Sequence, residues 1–194
     1  MTNLEFVDCS CPHSWFLVAD ELHTQIEKII THFGTGYISK INNEQDAAIT
    51  LDSTNRTIFL LASFVLENLI KAYLVYENPE WISNGVLSKN LKSHKLTELA
   101  NKSDLIPYKN KSIPILEVFQ NGNESWARYP CSLNKDNTDN PLSLNIKIIS
   151  DYKWLTRAYT KKLIKLLKQQ WCGPHGWVGR YTFDGSFIGY HIAG

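Results

Sequence analysis

Apolar side chains occupy almost every position of the segment Thr57–Tyr76. The segment is long enough to cross a lipid bilayer, which takes about 20 residues of helix. However, Glu67, Asn68 and Lys71 stand near its middle, and each charge there would cost roughly 2.5–3.5 kcal/mol in lipid. The sequence therefore predicts a buried central helix of a helical bundle and no membrane contact.

Apolar residues recurring every three or four positions predict further helices at residues 14–33, 94–102, 113–119 and 145–171. Residues 34–53 are polar and rich in Gly and Asn, which predicts a loop. Near the C-terminus, Asp184-Gly185 separates two aromatic, β-favouring runs within Trp177–His191 and predicts a hairpin turn. The expected fold is all-α, a helical bundle at residues 1–172 with a C-terminal β-hairpin appendage at residues 173–194.

Composition restricts the class of protein. The chain has 194 residues, which suits one compact domain, and its net charge of +1 excludes binding of polyanions through overall charge alone. Four cysteines are too few for a disulfide scaffold of this size, and the first residues lack the pattern of a secretory signal, so we expect a cytoplasmic protein. Phosphate-binding loops, dinucleotide fingerprints, serine-nucleophile elbows and HExxH motifs are absent from the sequence.

Three segments in the middle of the chain form an ordered set of motifs. They are Phe64–Ala72 in the central helix, Ser93-His94-Lys95-Leu96 with Leu99, and Trp126–Pro130. In order and spacing the set resembles the HEPN superfamily, small helical bundles common in prokaryotic defence and toxin–antitoxin systems. The resemblance covers roughly residues 52–171. It implies an up-and-down helical bundle that is frequently a homodimer.

The resemblance also implies an activity that many HEPN proteins have, metal-independent RNA cleavage by an Arg-x4-6-His motif. The four arginines of this chain are Arg56, Arg128, Arg157 and Arg180, and none has a His at that distance. The window after Arg128 reads Leu133-Asn134-Lys135, and asparagine cannot carry a proton near neutral pH as histidine can. We therefore expect a noncatalytic module, with no cofactor.

A row of positive side chains lies along the last predicted helix. Between Tyr152 and Trp171 there are six positive and no negative residues. Five of them are three or four residues apart and share one helical face; they are Lys153, Arg157, Lys161, Lys165 and Lys168. We call this set the basic stripe. It predicts a surface for RNA phosphates or an acidic protein partner, with Lys89, Lys92, Lys95 and Lys102 as further candidates; the alternative is a solvated face that keeps the protein soluble.

Two further sets of residues are candidate sites. Cys9, Cys11, Cys172 and His175 flank the first and last long helices and could complete a tetrahedral zinc site, although cysteines at helix ends are also ordinary packing residues. Glu67 and Lys71 are four residues apart and, with Arg128, suggest a buried structural network. Alternatively Glu67, His94 and Arg128 line one catalytic pocket, with His94 as proton carrier and Arg128 holding a phosphate.

The sequence thus leaves three functions open. The first is a noncatalytic HEPN-like RNA- or partner-binding module, within a defence or toxin–antitoxin system. The second is a diverged HEPN ribonuclease that uses Arg128 and His94. The third is a structural or oligomerising protein whose basic stripe contacts an acidic partner.

Overall fold

The computed structural model describes residues 1–32, 37–41, 48–52, 55–125, 127–128 and 146–188. Within them the chain forms a helical bundle with two small antiparallel β-hairpins. The helices are α1 (Asn3–Ser10), α2 (Pro12–His32), α3 (Asn55–Glu77), α4 (Leu96–Asn101), α5 (Lys109–Glu124) and α6 (Ile146–Leu167), and the strands are β1 (Tyr37–Ile41), β2 (Ala48–Asp52), β3 (Trp171–Cys172) and β4 (Val178–Gly179). This confirms the mostly helical bundle with a small C-terminal hairpin.

Helix α3 is the centre of the bundle, as its composition predicts. It packs against α2, α4, α5 and α6, and residues such as Phe59, Leu66 and Tyr73 are completely buried. By length and hydropathy α3 could span a membrane, but 78% of its most apolar window is buried inside the fold. That burial is typical of the core helix of a bundle, since a lipid-facing helix exposes its apolar side chains.

The N-terminal region contains a helix that the sequence analysis missed. Thr2 caps α1 because its hydroxyl accepts a hydrogen bond from the Glu5 N–H (3.2 Å), while the Glu5 carboxylate accepts one from the Thr2 N–H (2.6 Å). The helix has only 8 residues, too few for a clear apolar period. Pro12 then begins α2, where proline is tolerated because the first helical N–H has no partner in the helix.

The prediction of a loop at residues 34–53 is wrong in part. Strands β1 and β2 lie within it and pair antiparallel, with Tyr37 opposite Asp52 and Ile41 opposite Ala48. The segments carry β-branched residues that favour strands, but the polar residues between and around them obscured that signal. Residues 34–36, 42–47 and 53 of the same segment lie outside the described part of the chain.

The C-terminal hairpin exists, but its predicted turn is wrong. Strand β3 pairs with β4 so that Trp171 lies opposite Gly179, and the turn is formed by Pro174–Gly176, where His175 and Gly176 have positive φ angles of 57° and 78°. Residues 180–186, which include Asp184-Gly185, carry no strand, and residues 189–191 of the predicted hairpin lie outside the described part of the chain. The Asp-Gly pair signals a turn but does not by itself supply partners for the strands beside it.

The hairpin is fixed to the N-terminal end of the bundle. The Trp177 indole N–H donates to Asp8 Oδ1 (3.0 Å), and the Tyr181 ring stacks on His13 with ring centroids 3.9 Å apart. Trp171 donates its indole N–H to the carbonyl of Tyr76 at the end of α3 (3.2 Å). A hairpin of two strands is marginal alone, so these contacts hold it in place.

Two helix boundaries also differ from the prediction. Helix α5 runs from Lys109 to Glu124 and continues through Pro114, whereas the predicted helix covered only residues 113–119. Helix α6 ends at Leu167 rather than at residue 171, since Trp171 begins β3. Lys168, the last member of the basic stripe, follows the helix, although its N–H still donates to the Ile164 carbonyl (3.0 Å).

Candidate nucleic-acid interface

Helix α6 is amphipathic, and its two faces have opposite roles. One face is buried and carries Tyr152, Leu155, Tyr159 and Leu163. All five members of the basic stripe are exposed, because their spacing of three or four residues keeps them on the other side of the helix. Packing of the apolar face against the bundle therefore fixes the direction in which the stripe points.

Most of the stripe has no acidic partner. Lys153 is ion-paired with Glu27 of α2, with Nζ 3.3 Å from Oε1. In the part of the chain that the structure describes, Arg157, Lys161, Lys165 and Lys168 form no ion pair. Four positive side chains therefore remain available to an anion. The exposed ion pair of Lys153 is weak, so breaking it would cost an incoming anion little free energy.

An open groove of about 480 Å³ runs beside these cations, between α6 and the segment that precedes α5. This volume lies within the range of about 300–1,000 Å³ that is typical of ligand sites. The lining residues are Pro107, Tyr108, Trp154, Arg157, Ala158, Lys161, Lys162 and Lys165. The groove thus combines positive charge with aromatic surface, the two features with which proteins bind single-stranded nucleic acids.

Aromatic and cationic groups contact one another at one end of the groove. The rings of Tyr108 and Trp154 have centroids 5.7 Å apart, and Lys111 Nζ lies 4.0 Å from the centroid of the Trp154 ring. This cation–π contact brings a positive charge of α5 to the groove. The exposed fraction of Tyr108 is 65%, so most of its ring is free to contact a ligand.

Sequence reasoning missed Tyr108 and Lys111 because they are far from α6 along the chain. Pro107 before Tyr108 indicates only a turn. The contact of Lys111 with Trp154 arises because α5 packs against α6, which the periodicity of one segment cannot show. The further candidates Lys89, Lys92, Lys95 and Lys102 are exposed but do not line this groove, and the ammonium of Lys102 pairs with Glu98 (3.2 Å).

The structure brings together two of the three residues predicted for a catalytic pocket. Glu67 is buried in α3 and accepts from Lys71 Nζ at 2.6 Å, while His94 Nδ1 lies 3.1 Å from both Glu67 carboxylate oxygens. Arg128 is exposed and does not pair with Glu67. Within the described residues, Glu67 forms ion pairs with Lys71 and His94. Trp126, Tyr129 and the segment 129–145, with the window Leu133-Asn134-Lys135, lie outside the described residues.

The Glu67 cluster has the features of a structural network. The side chains of Glu67 and Lys71 are only 7% and 5% exposed, so each needs the other to offset the loss of water. Lys71 Nζ also lies 5.4 Å from the centroid of the Trp15 ring, which ties α3 to α2. His94 covers the carboxylate from outside, with 65% of its side chain exposed.

The predicted zinc ligands are not assembled into one group. Among the described residues, no three His, Cys, Asp or Glu side chains come close enough to hold a metal ion. Cys11 is buried, and its sulfur is hydrogen-bonded to Tyr181 Oη (3.0 Å) and Ser14 Oγ (3.4 Å). His175 Nε2 accepts a hydrogen bond from the Asn84 N–H (3.1 Å), and Cys9 and Cys172 are exposed free thiols.

Comparison of the chain with protein families, curated proteins and solved structures finds no match. The interpretation of the groove and the basic stripe therefore depends on their own geometry and chemistry.

Proposed function

We propose that this protein is a noncatalytic RNA-binding module whose basic stripe contacts the phosphate backbone. The observation that carries the proposal is the exposed basic stripe on α6 and just after its end, of which Arg157, Lys161, Lys165 and Lys168 have no acidic partner among the described residues. Unpaired cations on a rigid helix can replace the counterions of a polyanion without first breaking an ion pair. A solvated lysine face would not require the aromatic groove that adjoins it.

RNA is favoured over an acidic protein partner by the aromatic part of this surface. Positive charge is enough to attract an acidic peptide, whereas a single-stranded nucleic acid offers both phosphates for the cations and flat bases for the aromatic rings. Tyr108 and Trp154 border the same groove as Arg157 and Lys161, so the groove matches both parts of a nucleotide. The proposal also includes membership of the HEPN superfamily, a homodimer and a defence or toxin–antitoxin role. The helical bundle is consistent with these three parts.

The experiment compares RNA binding by three forms of the full chain, followed by the anisotropy of a labelled RNA oligonucleotide. Lys161→Ala/Lys165→Ala removes two unpaired cations that line the groove. Lys147→Ala/Arg180→Ala removes the same charge at two exposed residues that do not line it. We expect the first variant to bind RNA at least about tenfold more weakly than the wild type, with the second close to the wild type.

Two results would contradict the proposal. If the two double variants lose affinity equally, binding follows overall charge and not the α6 surface. If the wild type does not bind RNA but binds an acidic polypeptide in a manner that the Lys161→Ala/Lys165→Ala variant abolishes, the surface serves a protein partner instead. Intact RNA at the end of each titration tests the noncatalytic part of the proposal.

A further inference from the structure

An aromatic platform lies at the edge of the cationic groove. Tyr108 is 65% exposed although it is a large aromatic residue, and its ring is 5.7 Å from that of Trp154. Lys111 holds the Trp154 ring from another side through its cation–π contact at 4.0 Å. The arrangement keeps Trp154 in place while leaving the Tyr108 ring open to solvent.

The backbone at Tyr108 has a conformation that is strained for tyrosine. Its φ and ψ angles are 56° and 38°, in the left-handed region that tyrosine rarely occupies. The Tyr108 carbonyl accepts hydrogen bonds from the N–H of Lys111 (3.0 Å) and of Ser112 (2.9 Å), which begin α5. Glycine or asparagine would make the same turn with less strain, so the position carries an exposed ring at a conformational cost. Strained residues of this kind concentrate at binding sites.

A small residue opens the groove next to the platform. Ala158 lies between Trp154 and Lys162 along one ridge of α6, and all three line the groove. A larger side chain at residue 158 would occupy the space where a flat ligand could lie. The neighbouring ridge carries Arg157, Lys161 and Lys165, which extend over about 12 Å of the helix axis.

We infer that the groove binds single-stranded RNA, with an unpaired base stacked on Tyr108 beside Trp154 and the adjoining phosphates on Arg157, Lys161 and Lys165. This inference rests on the proposed RNA-binding function and specifies the form of RNA that is bound. An aromatic side chain can stack only on a base whose face is free, and the bases of a duplex are already stacked on one another. A single strand supplies both a free base and a flexible backbone.

The test measures binding of three probes to the full chain by competition: a single-stranded RNA oligonucleotide, the duplex of the same sequence, and inorganic polyphosphate. Tyr108→Asn removes the ring and keeps a residue that tolerates the left-handed backbone. Ala158→Leu fills the groove without changing charge. We expect Tyr108→Asn to weaken single-strand binding by about 5- to 150-fold and to leave polyphosphate binding unchanged. We expect Ala158→Leu to act in the same direction.

The outcomes distinguish failure of this inference from failure of the proposed function. If RNA binds and the Lys161→Ala/Lys165→Ala variant weakens it, but Tyr108→Asn and Ala158→Leu bind the single strand as the wild type does, the stacking platform is wrong and the basic surface remains. Equal affinity for single strand and duplex likewise overturns the inference. If no RNA binds in a salt-dependent manner, the proposed function itself fails. Thermal melting of Tyr108→Asn, expected at or above the wild-type midpoint, confirms that the variant is folded.

Discussion

Replacing Glu67 by leucine tests whether the buried pair of Glu67 and Lys71 is a structural network. The change leaves the Lys71 ammonium, with 5% of its side chain exposed, without the carboxylate that accepts from it at 2.6 Å. Removal of one partner of a buried ion pair costs about 3–5 kcal/mol in unfolding free energy. For a chain of this length, each kcal/mol corresponds to roughly 2–4 °C in the thermal midpoint, so we expect a fall of about 6–20 °C.

The double variant Glu67→Leu/Lys71→Leu separates charge burial from packing. Replacing both members of a buried pair by apolar residues is often neutral or stabilising, so we expect the double variant to regain most of the stability that Glu67→Leu loses. The exposed pair of Lys147 and Asp151 is a matched control, because it has the same spacing and its lysine side chain is 81% exposed. Asp151→Ala should cost about 0.3–0.5 kcal/mol.

Urea denaturation followed by far-ultraviolet circular dichroism gives the unfolding free energies for these variants. The reasoning is refuted if Glu67→Leu lies within about 1 kcal/mol of the wild type, which is the range of a surface pair. It is also refuted if the double variant is as unstable as the single one, because the loss would then come from packing around residue 67 and not from the uncompensated ammonium.

Other predictions concern the contacts that fix the C-terminal hairpin. Burial lowers the pKa of His13 below its ordinary value of 6.5, against the opposing effect of Asp8. The His13 side chain is therefore protonated more readily in the unfolded chain than in the folded protein. The contribution of neutral His13 to the free energy of unfolding is complete above pH 6.5 and decreases as the pH is lowered. His13→Gln should lose less stability than the wild type between about pH 7.5 and about pH 5.5; equal losses would contradict this. At Gly179 an added Cβ would clash with ring carbons of Trp177, so Gly179→Ala should destabilise the protein by about 1–3 kcal/mol in urea titrations, and an unchanged midpoint would show that the ring can move.

The sequence predicted the parts of the fold that depend on local periodicity. The apolar stretch with Glu67, Asn68 and Lys71 at its centre identified α3 as the core helix, and burial of Glu67 and Lys71 as a pair follows from their spacing. The amphipathic pattern of α6 predicted which lysines are exposed. Both signals repeat within one element, so neither depends on knowing how the elements pack.

Features that depend on packing between distant segments could not be predicted. The contact between Tyr108 and Trp154 requires the start of α5 to lie beside α6, and the position of the hairpin depends on contacts of Trp177 and Tyr181 with α1 and α2. Short elements gave too weak a pattern, as in α1. The contact of His94 with Glu67 matches the alternative hypothesis of a shared pocket, whereas Arg128 is exposed, which is usual for a charged side chain.

The salt dependence of RNA affinity tests the central claim, that unpaired cations on α6 bind a phosphate backbone. Four such side chains contacting a single strand predict a slope of about −2.8 for log affinity against log salt concentration. Between about 50 and about 200 mM salt the affinity should then fall about fiftyfold.

The same titration with Lys161→Ala/Lys165→Ala, which removes two of the four cations, should give a slope of about −1.4 and a fall of about sevenfold. A wild-type slope near zero, or the same slope in the wild type and this variant, would contradict the claim.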